Sequence, residues 1–128
     1  MPTTIQITAG KTKLTAQLND SPTAKAIIKM LPIKNKGNRW GGEIYFAIPV
    51  KVGLEKDNSR DVLEPGELAY WPPGNAFCIF FGATPASEGD EPRAASDVNI
   101  VGKITGDVSV LWKVQDGAEV VIEKSLSE

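Results

Sequence analysis

Glu43 and Tyr45 stand two residues apart in "GGEIYFAIPV", so on a strand they share the face opposite Ile44 and Phe46. A carboxyl beside a phenol can orient a polar ligand, and it can move a proton if burial strips water from the carboxyl. On a solvated outer surface the same pair does neither. The stretch "AYWPPGNAFCIFFG", residues 69–82, is the second place with chemical potential. Tyr70 and Trp71 are successive residues, which on a strand point to opposite faces, so one of them reaches an outer surface. Arg93 stands beside Glu91 in a polar loop and offers either a cap over an anionic or carbonyl-bearing ligand or an ordinary solvated cation.

The residue inventory excludes whole reaction classes. The 128-residue chain has no histidine and one cysteine. Histidine-ligated metals, Ser-His and Cys-His nucleophile pairs and disulfides therefore drop out. Cys78 lies in an apolar run and reads as a small buried hydrophobe. No metal or cofactor is expected. A net charge of −2 gives no overall pull toward nucleic acid or an anionic membrane. Lys25, Lys29, Lys34, Lys36 and Arg39 form a basic run beside Trp40, a weak signal for RNA. Lys25 and Lys29, at i and i+4, instead suit the solvated side of a helix. The opening "MPTTIQITAGK" has neither part of a secretory signal, and no apolar run reaches membrane-spanning length, so the expectation is cytoplasmic.

Alternation dominates the elements that must position these residues. Ile5 and Ile7 answer Leu14, Ala16 and Leu18 across a turn at Gly10. A long strand is expected over 44–54, with Pro49 as an interruption, and others over 67–71, 76–82, 98–104 and 118–123. In 76–82, Phe77, Ile79 and Phe81 face one way into a core, and Cys78 and Phe80 face the other way, beneath a helix. Both faces are apolar, so the strand is central. The double proline and Gly74, which can supply a positive φ, make a rigid corner ahead of it. Ser21 and Pro22 open a helix with Ala24, Ile27, Ile28 and Leu31 on one face, and Pro32 ends it. A short helix is expected near 108–114. Residues 83–96 form a long polar loop, and "DNSRD" and "SEGDEP" read as solvated turns.

Three segments, "RWGGEIYFAIPV", "GELAYWPPGNAFCIFFGATPAS" and "ASDVNIVGKI", resemble the small prokaryotic cyclophilin-like proteins, whose fold is related to the cyclophilin peptidyl-prolyl isomerases. The resemblance covers nearly the whole chain. It implies a mainly β fold, a closed antiparallel cyclophilin-like β-barrel with two short capping helices, in one domain. It also implies a ligand groove on the outer face. The candidates for that groove are Glu43, Tyr45, Trp71, Phe80, Thr84 and Arg93, with Ser96 and Asn99 from "ASDVN", the latter two also suited to satisfying backbone groups. Against the true isomerases, the place of the catalytic arginine falls to Tyr45 or Phe46. The tryptophan that closes their proline pocket falls near Arg93, and their cleft histidine near Val98. The expected function is binding of a small molecule or extended peptide without efficient isomerase activity. A weak or atypical isomerase and a protein–protein interaction module are the alternatives.

Overall fold

The computed structural model describes residues 2–125, and these form one antiparallel sheet of ten strands. In chain order the strands are β1 (Thr3–Ala9), β2 (Thr12–Leu18), β3 (Ile33–Lys36), β4 (Asn38–Arg39), β5 (Glu43–Ala47), β6 (Ser59–Val62), β7 (Glu67–Trp71), β8 (Ala76–Phe80), β9 (Arg93–Thr105) and β10 (Glu119–Lys124). Laterally they run β3-β10-β1-β2-β9-β7-β8-β5-β4, with β6 added on β9. The two ends of this path, β3 and β4, are separated in sequence only by Gly37. No ladder among the described residues joins them, so the expected closed barrel is not seen as a continuous ring of strand pairs. One side chain reaches across from β3 instead: Asn35 Nδ2 donates to Ala47 O at the end of β5 at 2.9 Å.

The helix α1 (Pro22–Met30) begins as the sequence requires, with Ser21 Oγ accepting from the Ala24 N–H at 3.2 Å. Ala24 and Ile27 are fully buried, while Lys25 and Lys29 stay in water. The second helical segment is a 3-10 helix, Val108–Lys113, capped by Asp107. It buries Leu111 and leaves Trp112 half exposed.

Two apolar clusters lie on opposite faces of the central strands, as the two-sided apolar pattern of β8 demands. The larger one holds Ile5, Ile7, Phe46, Tyr70, Phe77 and Ile79. The smaller one holds Leu63, Ala69, Ala76, Cys78, Phe80, Ala94 and Val98. Its cover corrects one expectation: Cys78 and Phe80 are roofed not by a helix but by Leu63 and the first half of β9.

Other differences have local causes. The strand expected over 44–54 ends at Ala47, because Pro49 has no N–H for a ladder. Ile48 and Val50 are buried all the same, held by Ile48 N to Asn75 O at 2.9 Å and Tyr70 OH to Val50 O at 2.5 Å. Leu54 is exposed. "DNSRD" is not a turn throughout, since Ser59–Val62 pairs with β9. The loop after β8 is shorter than expected, because β9 already starts at Arg93. At the proline corner the positive φ, 49°, belongs to Asn75, not Gly74. Gly74 is needed for space: a Cβ there would lie 2.9 Å from the Trp71 ring.

Candidate functional site

The outer face of β5, β8 and β7 gathers the polar and aromatic residues that the sequence singled out. On β5, Glu43 and Tyr45 lie opposite Phe80 and Cys78 of β8, and across β8 the residues Ala69 and Trp71 of β7 lie opposite Cys78 and Ala76. Directly opposed residues share a face, so one strip of sheet carries Glu43, Tyr45, Cys78 and Trp71. A tight turn precedes β5. In it Trp40 N donates to Glu43 O at 2.9 Å and Glu43 N to Trp40 O at 3.2 Å. Gly42 sits in that turn against Gly82, and a Cβ on it would fall 2.3 Å from the Gly82 carbonyl carbon. That contact explains why glycines flank both "GGE" and "FFG".

Between this strip and the start of β9 lies a pocket of about 140 Å³. Trp40, Tyr45 and Trp71 supply aromatic walls, and Glu43 and Cys78 supply its two other polar side chains. Ala94, Ala95 and Val98 of β9 complete it. Trp71 is partly exposed while Tyr70 is fully buried, so it is Trp71 that reaches the outer face. Its indole is fixed from one side, Nε1 donating to Ser96 Oγ at 2.7 Å.

The electrostatics are one-sided. Glu43 is only 6% exposed, and burial pushes its carboxyl up to about 7 despite a hydrogen bond with the Cys78 thiol. No cationic side chain lines the pocket. Burial, with the Glu43 charge alongside, also pushes the Cys78 thiol well above its usual range. A nucleophilic cysteine must be a thiolate, and these surroundings disfavour that form of Cys78.

The remaining candidates lie outside this pocket. Phe80 is wholly enclosed in the smaller cluster. Thr84 is buried and donates to Arg93 O at 2.5 Å, pinning the loop before β9. Arg93 does not cap anything: its guanidinium meets Glu91 at 3.2 Å and Asp61 at 3.4 Å. Asn99 is fully buried on the other face, accepting from Glu55 N at 2.7 Å and donating to Gly53 O and Thr23 Oγ1, each at 3.0 Å. It satisfies backbone groups of the loop after β5. Arg39, the last of the basic run, is spent on the far side, where it stacks on Phe81 and Trp112 at 5.2 and 5.5 Å.

Sequence reasoning missed Trp40 and Cys78 as lining residues. The signal for Cys78 was present, because it and Glu43 both alternate against core-facing neighbours. Placing β5 beside β8 would have set them on one face.

The sequence profile of the Cyclophilin-like family matches residues 3–123. The chain belongs to the Cyclophilin-like family. The solution structure of the hypothetical protein AF2241 from Archaeoglobus fulgidus is similar to this Cyclophilin-like chain, with 43% sequence identity, a TM-score of 0.82, and coverage of 97% of this chain and 95% of that one. No curated protein matches it. The places that the isomerase resemblance assigned also divide clearly in this Cyclophilin-like chain. Tyr45 and Val98 line the pocket, whereas Phe46 is buried in the main core with its ring 5.6 Å from Phe77, and Arg93 stands outside. Among the described residues no helix is long and apolar enough to cross a membrane, and no cluster of side chains could hold a metal ion.

Proposed function

We propose that this protein binds one compact group of a small molecule or extended peptide in the Trp40–Trp71 pocket and does not accelerate prolyl isomerisation. The observation that carries the reading is the lining itself: three aromatic side chains and a buried carboxyl, with no cation. Rotation about a prolyl bond is opposed by a barrier of ~18–20 kcal/mol from amide resonance. Removing one preorganised donor from a site that stabilises such a twisted state costs about 3–4 kcal/mol. Tyr45 offers a single neutral hydroxyl where the resemblance sets an arginine, and Glu43, once ionised above about pH 7, offers charge of the wrong sign for an amide oxygen.

Size narrows the occupant. A pocket of about 140 Å³ compares with the cavity of ~150 Å³ that admits benzene, and falls below the ~300 Å³ at which drug-sized sites begin. One ring, one branched head group or one peptide side chain fills it, and the rest of the ligand lies along the sheet surface. NMR exchange measurements on Ala-Pro peptides test the catalytic half: isomerisation at the uncatalysed rate is expected. Efficient turnover, lost in Tyr45→Phe, would overturn it. Titration with small aromatic and branched aliphatic probes, followed by Trp71 fluorescence and the backbone resonances of Tyr45, Ala94 and Val98, tests the binding half. Saturable shifts confined to these residues are expected, and silence from every probe would defeat the reading.

A further inference from the structure

We infer that the group this pocket takes is an alkylated ammonium, such as a trimethylammonium head. The inference rests on the binding reading above and names the chemistry of its occupant. Three features of the lining point the same way. Glu43 is a carboxyl more than nine-tenths buried, and no Lys or Arg lines the pocket with it. The polar side chain beside it is the Cys78 thiol, a weak donor that cannot offset a carboxylate's charge. Three aromatic side chains, Trp40, Tyr45 and Trp71, line the pocket with it, and the electron-rich face of an aromatic ring attracts a cation that has shed its water.

The same lining discriminates among cations. A primary ammonium brings three N–H donors that each need an acceptor, and among the lining side chains only Glu43, Tyr45 and, weakly, Cys78 accept, with rings and alkyl groups elsewhere. Alkyl substituents replace those donors with apolar surface, which Ala94, Val98 and the rings can cover. A guanidinium is planar with five donors; one carboxylate takes two of them, and the other three face a lining of mostly rings and alkyl groups. The volume of about 140 Å³ suits a compact, branched head of roughly benzene size. The ring of Trp71 is held in place before any ligand arrives, by Ser96, so little ordering is needed on binding.

The charge of a free small molecule and that of a methylated lysine side chain are chemically alike, so the test carries both. Binding of choline, tetramethylammonium, a trimethyllysine peptide and its unmodified counterpart is measured by calorimetry and Trp71 fluorescence at pH 8. The uncharged carbon isostere of choline, 3,3-dimethyl-1-butanol, is the control. Choline or the methylated peptide is expected to bind at least about tenfold tighter than the isostere or the unmodified peptide. In Glu43→Gln that preference should collapse to about threefold or less. Affinity for the cation should also fall as pH drops below about 7, because the protonated Glu43 carboxyl no longer carries the charge that adds to the pull of the rings. The other titratable groups lining the pocket are Tyr45 and Cys78, and burial pushes the Cys78 thiol upward, away from this range. A tighter complex with the methylated peptide assigns the source as protein, and a tighter one with choline as a free metabolite; either supports the inference. Equal affinity for choline and its isostere in the unaltered protein would overturn the cation and leave pocket binding standing. Failure of cations and neutral probes alike would take down the binding reading itself.

Discussion

Trp71 and Ser96 lock two walls of the pocket together, the indole Nε1 on β7 donating to Ser96 Oγ on the neighbouring strand β9 at 2.7 Å. Ser96 itself touches water and is outside both cores. Ser96→Ala should therefore cost little stability, about 0.5–1.5 kcal/mol, the net worth of one such bond. Its larger effect should be on the ring. The Trp71 indole N–H resonance is expected to broaden or move, and the affinity of any pocket ligand to fall several-fold. A variant that keeps full affinity would show that the ring needs no such tether.

Glu43 makes stability depend on pH in the direction opposite to most carboxyls. Its folded-state value of about 7 lies above the 4.5 of an unburied glutamate, so between those values the folded chain holds the proton that the unfolded chain has released. Stability from this group is complete below about 4.5, declines as pH rises to about 7, and is flat above. The loss is on the order of 3 kcal/mol. Denaturant unfolding of the parent and Glu43→Gln from pH 4.5 to 8.5 isolates it, because the other carboxyls are common to both. The variant should gain on the parent between about pH 4.5 and 7 and hold that margin above it, and parallel curves throughout would refute the prediction.

Arg60 and Glu67 form a two-pronged pair, Nη1 to Oε1 at 2.7 Å and Nη2 to Oε2 at 2.6 Å. Glu67 is nearly buried, whereas the Arg60 side chain is about half in water. Burial acts to raise the Glu67 carboxyl, but the Arg60 guanidinium and the Glu64 backbone N–H together hold it below its usual range. Arg60→Ala leaves that charge to the Glu64 N–H, and a cost of about 1–2 kcal/mol at pH 7 is expected. The pair's contribution is present above the ordinary carboxylate range and is lost as pH falls through it. The deficit measured by unfolding should therefore shrink toward pH 4, and a deficit independent of pH would point to lost packing alone.

Gly42→Ala should be among the most damaging changes to the site. A methyl there meets the Gly82 backbone at 2.3 Å, and neither neighbour is a side chain that can swing away. The strands must part, and overpacking of this kind costs about 1–3 kcal/mol or more. Amide exchange should accelerate at Phe81 and Gly82, both of which donate to Gly42 O. Unchanged protection at those two amides would contradict the contact.

The alternating segments were legible from the sequence because a half-buried strand leaves a period-two trace. Ile5, Ile7, Leu14, Ala16 and Leu18 form the predicted hairpin, and Phe77 and Ile79 enter the main core. The short strands β3, β4 and β6 were not legible. "IKNK" and "SRDV" present mostly exposed side chains, so their pairing is a matter of backbone hydrogen bonds that composition does not report. At the site, Glu43 and Tyr45 could be placed on one face from spacing alone. The burial of Glu43 could not, since it depends on β9 folding over that face from fifty residues further along the chain. Arg93 and Thr84 misled for a related reason: a polar loop looks available until its internal partners are seen.

Strand β10 lies between β3 and β1, and Val120 and Ile122 within it are fully buried. During synthesis the ribosome delivers Ile5, Ile7 and Ile33 long before the strand that covers them exists. The nascent chain must therefore carry an open slot until residues 119–124 emerge. Pairing Ile5 with Lys124 joins positions almost a full chain length apart, the kind of contact that slows a folding reaction toward the millisecond-to-second range. A peptide copy of 119–124 supplied in excess would compete for that slot in the unfinished chain but find it closed in the finished one.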